Sequence, residues 1–461
     1  MKKIDGQNCS ARIQEYIQVM YSWSRRTSWS VRGIRMKLQH VPTQTCKACI
    51  RCSMRVFESE WTRYCFIFVI LSTVCCLLFG WVLFRDPCFE WEIRTSLCND
   101  YQNGLIAGSL CYDLCIEDIV SLSSCIEQDG QHSVFKWEDQ VIKARLPEKE
   151  GSQSNTDSIW EGMTQTDFSN VIKNLFTRVL GNNDHSSLIK RALSYADFNR
   201  DGQLTYGEVN SLWQLLQIQE FQTLFIFQHN SVFPKINGTC GSLYAYEAAY
   251  HQMLYSKNTS SYIDRAFPNR YRWHLPEFPK RMHIALGLLE YVYTTMETEN
   301  TKFYMCNFSP KNFGYTEYFE MKVSNVQGII SEQFLNKTLQ SKTCETDADC
   351  LYGDVCKSRC NKNIHRCSGV GVNYIPDLVK ICHILQDYLV YNLPVKLKYT
   401  LSHVVADCIR MAKKLHSKSA SMILVDQNLA LDRLNQVLWN ELKYAENKWL
   451  TKPTKKPSVM L

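Results

Sequence analysis

One segment of this sequence constrains the fold more than any other. Residues 64–84, YCFIFVILSTVCCLLFGWVLF, contain no charged side chain and are flanked by Arg63 and Arg85. At 1.5 Å of rise per residue such a helix is about 30 Å long, the thickness of a bilayer's hydrocarbon core. The sequence therefore predicts one transmembrane helix over 64–84 rather than a buried core helix. Because no small-residue cleavage site follows it, we do not expect a cleaved signal peptide.

The charges around this segment predict its orientation. Residues 1–63 carry 12 Lys and Arg against 4 Asp and Glu, whereas the whole chain has a net charge of +7, so the part after residue 63 is nearly neutral. Basic flanks stay on the cytoplasmic side of a membrane. We therefore expect a type II, single-pass signal-anchor protein with a lumenal C-terminal part. The basic surplus belongs to the arm, so nucleic acid is not an expected partner.

The cysteine distribution agrees with a lumenal compartment. Fourteen of the 21 cysteines follow the predicted span, concentrated in two loop-like stretches. An even number of this kind is typical of disulfides formed in an oxidising compartment. Sequons at Asn237, Asn258 and Asn336, with a poorer one at Asn307, predict a glycoprotein.

Two motifs in the N-terminal arm fit more than one interpretation. CKACIRC, residues 46–52, fits zinc binding, although no fourth ligand lies nearby, and it fits reversible acylation beside the membrane equally well. The absence of any special role is a better interpretation than either. The Arg25–Arg26 pair fits either an ER-retrieval signal or the positive flank of the span.

A twelve-residue acidic loop predicts a calcium site. DFNRDGQLTYGE, residues 197–208, matches the EF-hand template at every defining position, with Gly202 at the sharp turn and helical patterns on both sides. The predicted ligand positions are Asp197, Asn199, Asp201, Gln203, Thr205 and Glu208. The alternative is an acidic loop that resembles an EF-hand and holds no metal. Three carboxylates and no clear paired loop predict modest affinity for Ca²⁺.

The lumenal elements follow the order of a protein-kinase domain. VIKA predicts a strand that places Lys143 at the position of a phosphate-binding lysine, and Glu220 lies on the helix that leaves the calcium loop. Two strands, a helix and the loop YMCNFSPKNFGY follow, and then the strand-forming MKVSNVQGII. In this order Asn307 and Asn312 occupy the catalytic loop, and the end of the last strand should carry the metal ligand of the DFG motif.

These motifs resemble the divergent protein kinase domain 1 family, which comprises cysteine-rich, type II, ER-resident kinase-like proteins with an inserted EF-hand. The resemblance extends over about residues 88–445, and its most specific pieces are LIAGSLCYDLC, DFNRDGQLTYGE with LWQLLQIQEF, KINGTCGSLYAYE, IALGLLEYV, MCNFSPKNFGY and CETDADCLYGDVCKSRC. It implies that Lys143 holds nucleotide phosphates, that Glu220 pairs with Lys143, and that Asn312 is a metal ligand for ATP with Mg²⁺ or Mn²⁺.

The expected fold class is α+β: a bilobal protein-kinase-like fold with an EF-hand inserted in its N-lobe, preceded by a transmembrane helix and a cysteine-rich segment. We expect Glu208 and Glu220 on one continuous helix, roughly 18 Å apart, so that calcium would fix the entry angle of that helix. The predicted divisions are a cytoplasmic basic arm (1–63), the signal-anchor (64–84), a cysteine-rich segment (85–130), an N-lobe (131–250) with its EF-hand (about 165–215), a C-lobe (251–450) with a cysteine-rich loop (344–367), and a basic tail (451–461).

Two departures from the kinase pattern argue against efficient phosphoryl transfer. Asn307 and Asn325 stand where the family has aspartates, and there is no Asp between Asp264 and Asp347, so no shift of register restores either carboxylate. An amide cannot act as a base near neutral pH, and its neutral oxygen is a weaker ligand for Mg²⁺ than a carboxylate.

The leading interpretation is a calcium-binding pseudokinase of the ER membrane that regulates or scaffolds an unidentified lumenal protein partner, with the Golgi as the alternative location. A second interpretation is an active secretory-pathway protein kinase with rearranged metal ligands. A third is a purely structural calcium-binding membrane glycoprotein.

Overall fold

The computed structural model divides the chain into two units, 1–85 and 86–461. In the first unit, residues 67–74 are helical. No helix within the described residues is long and apolar enough to cross a membrane. Most of the predicted span, both motifs of the arm, Asn258 and the basic tail lie outside those residues. The described ranges are 67–74, 88–129, 132–146, 159–248, 252–254, 263, 266–267, 270–369, 375–393, 395–414 and 420–450.

The second unit begins with a small helical cap held by disulfides. It contains α1 (Glu90–Gln102) and α2 (Cys111–Cys115). Ile93 and Leu97 of α1 and Leu114 of α2 are buried in a core that the cap shares with the neighbouring sheet. Three disulfides tie the cap to itself and to the sheet that follows: Cys98–Cys115, Cys88–Cys125 and Cys111–Cys240.

A five-stranded antiparallel sheet lies beside this cap. Its strand order is β1-β2-β3-β5-β4, and β1 falls inside the stretch that the sequence assigned to the cysteine-rich segment. The strands are β1 (Cys125–Asp129), β2 (His132–Trp137), β3 (Gln140–Arg145), β4 (Ile236–Cys240) and β5 (Leu243–Glu247).

The two faces of the sheet have different environments because side chains alternate along a strand. Ile142 and Ala144 of β3 are buried in the core of the cap together with Phe135 of β2. Val141 and Lys143, which point the other way, are only partly buried. The cap therefore seals one face of the sheet, and the opposite face presents Lys143.

Four helices lie between β3 and β4 in the described range 159–248, and one prediction about them is wrong. They are α3 (Gln165–Leu180), α4 (Ser186–Ala196), α5 (Tyr206–Leu216) and α6 (Gln219–Ile226). Glu208 and Glu220 do not share a continuous helix, because Ile218 has an extended backbone with φ −89° and ψ 112°. In an unbroken helix Glu220 would lie four residues after the fully buried Leu216 and share its apolar face. Because the helix is broken at Ile218, the Glu220 side chain points in a different direction from Leu216 and can contact another partner.

The rest of the unit is mainly helical, with short strands around one loop. The long helix α7 (Phe278–Met296) packs against the C-terminal helices. The remaining elements are β6 (Gln252–Met253), β7 (Phe303–Met305), β8 (Phe313–Tyr315), β9 (Met321–Val323), β10 (Ile329–Ser331), α8 (Glu332–Ser341), β11 (Leu351–Tyr352), β12 (Cys356–Lys357), β13 (Cys360–Asn361), β14 (Arg366–Cys367), α9 (Asp377–Tyr388), α10 (Val395–Lys414) and α11 (Ala420–Leu450).

The prediction that the lumenal cysteines form disulfides is confirmed, since all fourteen are paired. Four disulfides lie outside the cap: Cys306–Cys356, Cys344–Cys360, Cys350–Cys367 and Cys382–Cys408. Of the described sequon asparagines, Asn237 and Asn307 are exposed, whereas Asn336 is half-buried on α8.

Removing the disulfide between the cap and β4 should destabilise the fold more than removing a local one. Cys111–Cys240 closes a separation of 129 residues, whereas Cys344–Cys360 closes 16. In the chain-entropy model, the Cys111→Ala/Cys240→Ala variant should lose roughly 2 kcal/mol more unfolding free energy than Cys344→Ala/Cys360→Ala. Urea denaturation without reductant measures both variants, and equal losses would contradict this account of the cap.

Candidate functional site

An ion pair joins the open face of the sheet to α6. Lys143 Nζ donates to both carboxylate oxygens of Glu220, at 2.7 and 2.6 Å. The side chains are 18% and 10% exposed, so little water reaches the pair. These are the two residues that the resemblance pairs, and the break before α6 is what brings Glu220 to the lysine.

Aromatic side chains surround this pair. Tyr244 lies opposite Lys143 in the register of β3 and β5, and the Tyr246 ring centroid is 5.8 Å from Lys143 Nζ. Phe221 packs edge-on against Tyr244 at 5.4 Å. Burial, followed by the charge of Glu220, raises the pKa of Tyr244 well above its ordinary value. Tyr244 is therefore a neutral hydroxyl beside the pair.

The loop after β7 brings two of the predicted asparagines together. Asn307 is exposed, while Asn312 is buried at the end of a short 3₁₀ turn, Pro310–Asn312. The Asn312 side-chain amide donates to the Asn307 carbonyl at 2.7 Å. The loop's own backbone therefore positions the Asn312 side chain.

The third asparagine, Asn325, lies in the loop between β9 and β10. The Ser324 N–H donates to the Asn312 carbonyl at 2.7 Å, and Asn325 Oδ1 accepts from the Gln327 N–H at 3.0 Å. The Gln219 side chain, next to Glu220 on α6, reaches the Gln327 carbonyl at 3.5 Å. A continuous series of contacts thus connects the Lys143–Glu220 pair to all three asparagines.

A buried ion pair at the start of α9 holds the same loop, and sequence reasoning missed it. Asp377 accepts a hydrogen bond from the Met305 N–H at 3.1 Å. Lys380 Nζ donates to Asp377 at 2.8 Å and to the Met305 carbonyl at 3.3 Å. An acidic residue after Pro376 is an ordinary helix-start signal, so the sequence gives no sign of this burial.

The cysteine-rich loop 344–367 packs against the other side of Asn307. Both Asp354 and Val355 donate backbone N–H groups to the Cys306 carbonyl, at 2.8 and 3.1 Å. Gly353 has φ +59°, and a Cβ at that position would lie 2.3 Å from Asn307 Oδ1. The sulfurs of Cys344, Cys350 and Cys360 are close together, but all three are in disulfides and none is a free thiolate for a metal.

The predicted calcium loop joins α4 to α5 and has the turn that an EF-hand needs. Asp197 Oδ1 and Oδ2 accept the N–H groups of Asp201 and Gly202, at 3.1 and 3.0 Å. Asn199 Oδ1 also accepts from the Asp201 N–H, at 3.0 Å. Gly202 has φ +78°, a conformation that glycine adopts without strain. Gln203 is exposed, and its N–H donates to Asp201 at 2.7 Å.

The residues of this loop fit a calcium ion, although Glu208 is turned away from it. Glu208 Oε2 accepts from the Thr205 N–H at 2.8 Å and closes a capping box at the start of α5. Its Oε1 is buried and has no hydrogen-bond partner in the described part of the chain. No group of three carboxylates there converges within 4.8 Å, so binding Ca²⁺ requires Glu208 to rotate toward Asp197 and Asp201.

The entry helix of the loop, α4, packs directly on the helix that carries Glu220. Arg191 donates to the Phe225 and Ile226 carbonyls at 3.0 and 3.2 Å, which caps the C-terminus of α6. The Tyr195 ring packs edge-on against Phe225 at 5.6 Å. Burial raises the pKa of Tyr195 to about 12. The calcium loop is therefore connected to Glu220 by packing rather than by one helix.

The exit helix, α5, packs on the cap. Asn210 donates to the Leu105 carbonyl at 2.8 Å, and the Ala107 N–H donates to Ser211 Oγ at 2.8 Å. A Cβ on Gly207 would lie 2.8 Å from the Gly104 carbonyl oxygen, so the two backbones are in close contact. The calcium loop therefore lies between the cap and α6.

These features define a divergent protein-kinase-like domain with a disulfide-bonded, cysteine-rich N-terminal region. A family model described as the protein-kinase domain of FAM69 matches residues 212–411, and one described as the N-terminal cysteine-rich ER region of FAM69 matches 59–194. Together they cover most of the chain, which belongs to the FAM69-type divergent kinase family. The description of the second model supports the predicted ER association.

Among solved structures, one similar chain is described as the complex structure of Rv3197-erythromycin from Mycobacterium tuberculosis. It is 10% identical, with 61% of this chain and 71% of that chain covered and a TM-score of 0.21. A score this low carries no argument about fold or function.

Replacing only Lys143 or only Glu220 should lower the unfolding free energy more than replacing both residues. Lys143→Met leaves a mostly buried carboxylate without its cation, which costs about 3–5 kcal/mol of unfolding free energy. The Lys143→Met/Glu220→Leu variant should recover part of that loss. Chemical denaturation of both single variants and the double variant measures the coupling energy.

The exposed Arg272–Asp387 pair provides the matched control, with its atoms 3.0 Å apart. Asp387→Asn should cost less than about 1 kcal/mol, because water screens exposed pairs. A Lys143→Met loss as small as that of Asp387→Asn would contradict the assigned role of the pair.

Proposed function

We propose that this chain is a calcium-organised pseudokinase of the ER membrane, which regulates or scaffolds a lumenal protein partner. The observation that carries the proposal is the Lys143–Glu220 pair, formed in a cleft where Asn307 and Asn325 replace both functional carboxylates. The pair is one feature of a kinase nucleotide site, and the two asparagines would leave that site without the charges of the chemical step.

The chemistry of the two amides supports this view. At position 307, a kinase needs a carboxylate that accepts the proton of the substrate hydroxyl, and an amide oxygen cannot take that proton near neutral pH. At position 325, it needs a negative ligand for Mg²⁺, and the Asn325 oxygen instead accepts a backbone hydrogen bond at 3.0 Å. Each replacement costs about 10²–10⁴ in rate by typical acid–base magnitudes.

Nucleotide binding remains part of the proposal. Lys143 would contact the α- and β-phosphates, and buried Asn312 would be the remaining ligand for Mg²⁺ or Mn²⁺. ATP with its metal would then stabilise the domain without efficient transfer.

The calcium loop supplies the regulatory element of the proposal. Rotating Glu208 onto an ion removes its bond to Thr205 and changes how α5 begins. Because Arg191 of α4 holds the end of α6, tightening the loop would stabilise the position of Glu220 and its pair with Lys143. Calcium would therefore favour a formed cleft by acting on both neighbouring helices.

The predicted type II topology completes the proposal. The uncharged segment 64–84 would anchor the chain, and glycans at the lumenal sequons would be compatible with exposed Asn237. The seven disulfides of the described residues lie between Cys88 and Cys408, on the side of the segment that this topology places in the oxidising lumen.

An active kinase is the second candidate, and one observation favours it. The Lys143–Glu220 pair is a requirement of kinase catalysis, and here it is formed. A mostly buried ion pair is expensive to desolvate, so its presence favours a cleft that has kept a catalytic function.

Calcium should stabilise the full-length protein through Glu208. At a Ca²⁺ concentration 100 times the dissociation constant, the expected gain is about 2.7 kcal/mol, measured as a rise in melting temperature between EGTA and calcium buffers. Glu208→Gln should lose most of this gain, while Glu161→Gln, at an exposed position outside the loop, should keep it. A calcium response that survives Glu208→Gln would place the ion elsewhere.

Restoring both carboxylates should test the cleft directly. ATP with Mg²⁺ or Mn²⁺ should raise the melting temperature of the wild-type protein, and its phosphoryl transfer should stay at background. Asn307→Asp/Asn325→Asp should gain ATP turnover, and adding Lys143→Met should abolish that gain. Wild-type turnover equal to that of the double variant would favour the active kinase, and no response to ATP in either protein would exclude a nucleotide site.

A further inference from the structure

An exposed apolar surface lies on the cap, close to where the chain would leave the membrane. Trp91 is 72% exposed, and Tyr112, Ile116 and Ile119 are each at least half exposed. We call these four residues the apolar rim. Scattered surface apolar residues are common, so the question is whether these four form one surface.

Contacts between α1 and the segment after α2 place the rim residues along one seam. Trp91 lies three residues before Arg94 on α1, so both are on the same side of that helix. Arg94 donates to the Leu114 carbonyl at 2.9 Å and pairs with Asp118, which precedes Ile119. The Trp91 side of α1 therefore faces the chain that carries Ile116 and Ile119.

Two further contacts complete the surface. The Ile116 N–H donates to the Tyr112 carbonyl at 2.9 Å, so these residues are one helical turn apart on the same side of α2. Cys98, one turn beyond Arg94 on α1, is joined to Cys115 beside Ile116. The disulfide joins α1 to the end of α2, next to Ile116.

The length of chain before the cap limits how far the rim can be from a bilayer. Phe84 ends the uncharged segment, and Cys88 is four residues later. A fully extended chain spans at most about 3.6 Å per residue, so Cys88 is within roughly 14 Å of the end of that segment. Trp91 follows in the first turn of α1. Tryptophan and tyrosine are enriched at the boundary between hydrocarbon and water.

We propose that the apolar rim lies in the headgroup region of the lumenal leaflet and holds the cap against the membrane. This inference rests on the proposed anchoring by residues 64–84. Glu92, Glu117 and Asp118 lie next to the rim with Arg94, so the surface is slightly acidic and fits zwitterionic rather than anionic lipids. Because Cys111–Cys240 joins the cap to β4, docking of the rim would also fix the sheet relative to the bilayer.

Tryptophan quenching in full-length protein tests this arrangement. The protein is reconstituted in phosphatidylcholine nanodiscs with or without brominated acyl chains, and the quenched part of its emission is compared between variants. Trp91→Phe should lose a measurable share of that quenched emission. Trp81→Phe, inside the predicted anchor, should also lose a share, and Trp439→Phe, 46% exposed on α11, should lose none.

A second pair of variants separates docking of the rim from simple tethering. Ile116→Glu/Ile119→Glu keeps Trp91 and the chain length, and it should reduce quenching of Trp91 if the rim is inserted. Ile126→Glu, at a 53% exposed position of β1 outside the rim, is the matched control and should change nothing.

Each outcome separates the two proposals. Loss of quenching with Trp91→Phe and with the double glutamate variant supports the rim. If Trp91→Phe behaves like Trp439→Phe while Trp81→Phe loses quenching, the anchor holds and the rim proposal is wrong. If neither Trp81→Phe nor Trp91→Phe loses quenching, the anchor and the rim are both overturned.

Discussion

The ion pair between Lys143 and Glu220 is the interaction on which the cleft depends. It joins β3, which precedes the predicted calcium loop in the chain, to α6, which follows that loop. Its two hydrogen bonds of 2.6 and 2.7 Å form only if both elements are held in place. The strand is fixed by the cap that covers its other face. The helix is fixed by Arg191, which binds its last carbonyls. The pair thus depends on the cap through the sheet, and on the predicted calcium loop through the packing of α4 on α6.

In the cap, disulfides support a small hydrophobic core. The core of the cap is small, and Cys111–Cys240 joins it to a strand 129 residues away in sequence. A disulfide also joins the cysteine-rich loop 344–367 to the loop after β7, since Cys306–Cys356 lies next to Asn307. An oxidising compartment is therefore a condition of the fold and of the geometry of the cleft.

The catalytic loop shows that geometry and chemistry are separate properties. Asp377 and Lys380 hold the backbone at Met305, and Asn312 binds the carbonyl of Asn307, so the loop is well supported. The side chains that would accept the substrate proton and coordinate the metal ion are nevertheless neutral amides. A well-supported loop that lacks both carboxylates fits the proposed role of a pseudokinase.

Residue identity and local spacing alone were enough to identify the candidate residues: the EF-hand template at 197–208, the order of Lys143, Glu220 and the asparagine loop, the even set of cysteines, and the absence of any Asp between Asp264 and Asp347. Only the tertiary structure decided the break at Ile218, the clamp of Asp377 and Lys380, and the long-range disulfides. Each of these depends on contacts between residues distant in the chain. Helical periodicity runs through Ile218 unchanged, and the break there is explained by the pair that Glu220 forms with the partly buried Lys143 on the neighbouring sheet.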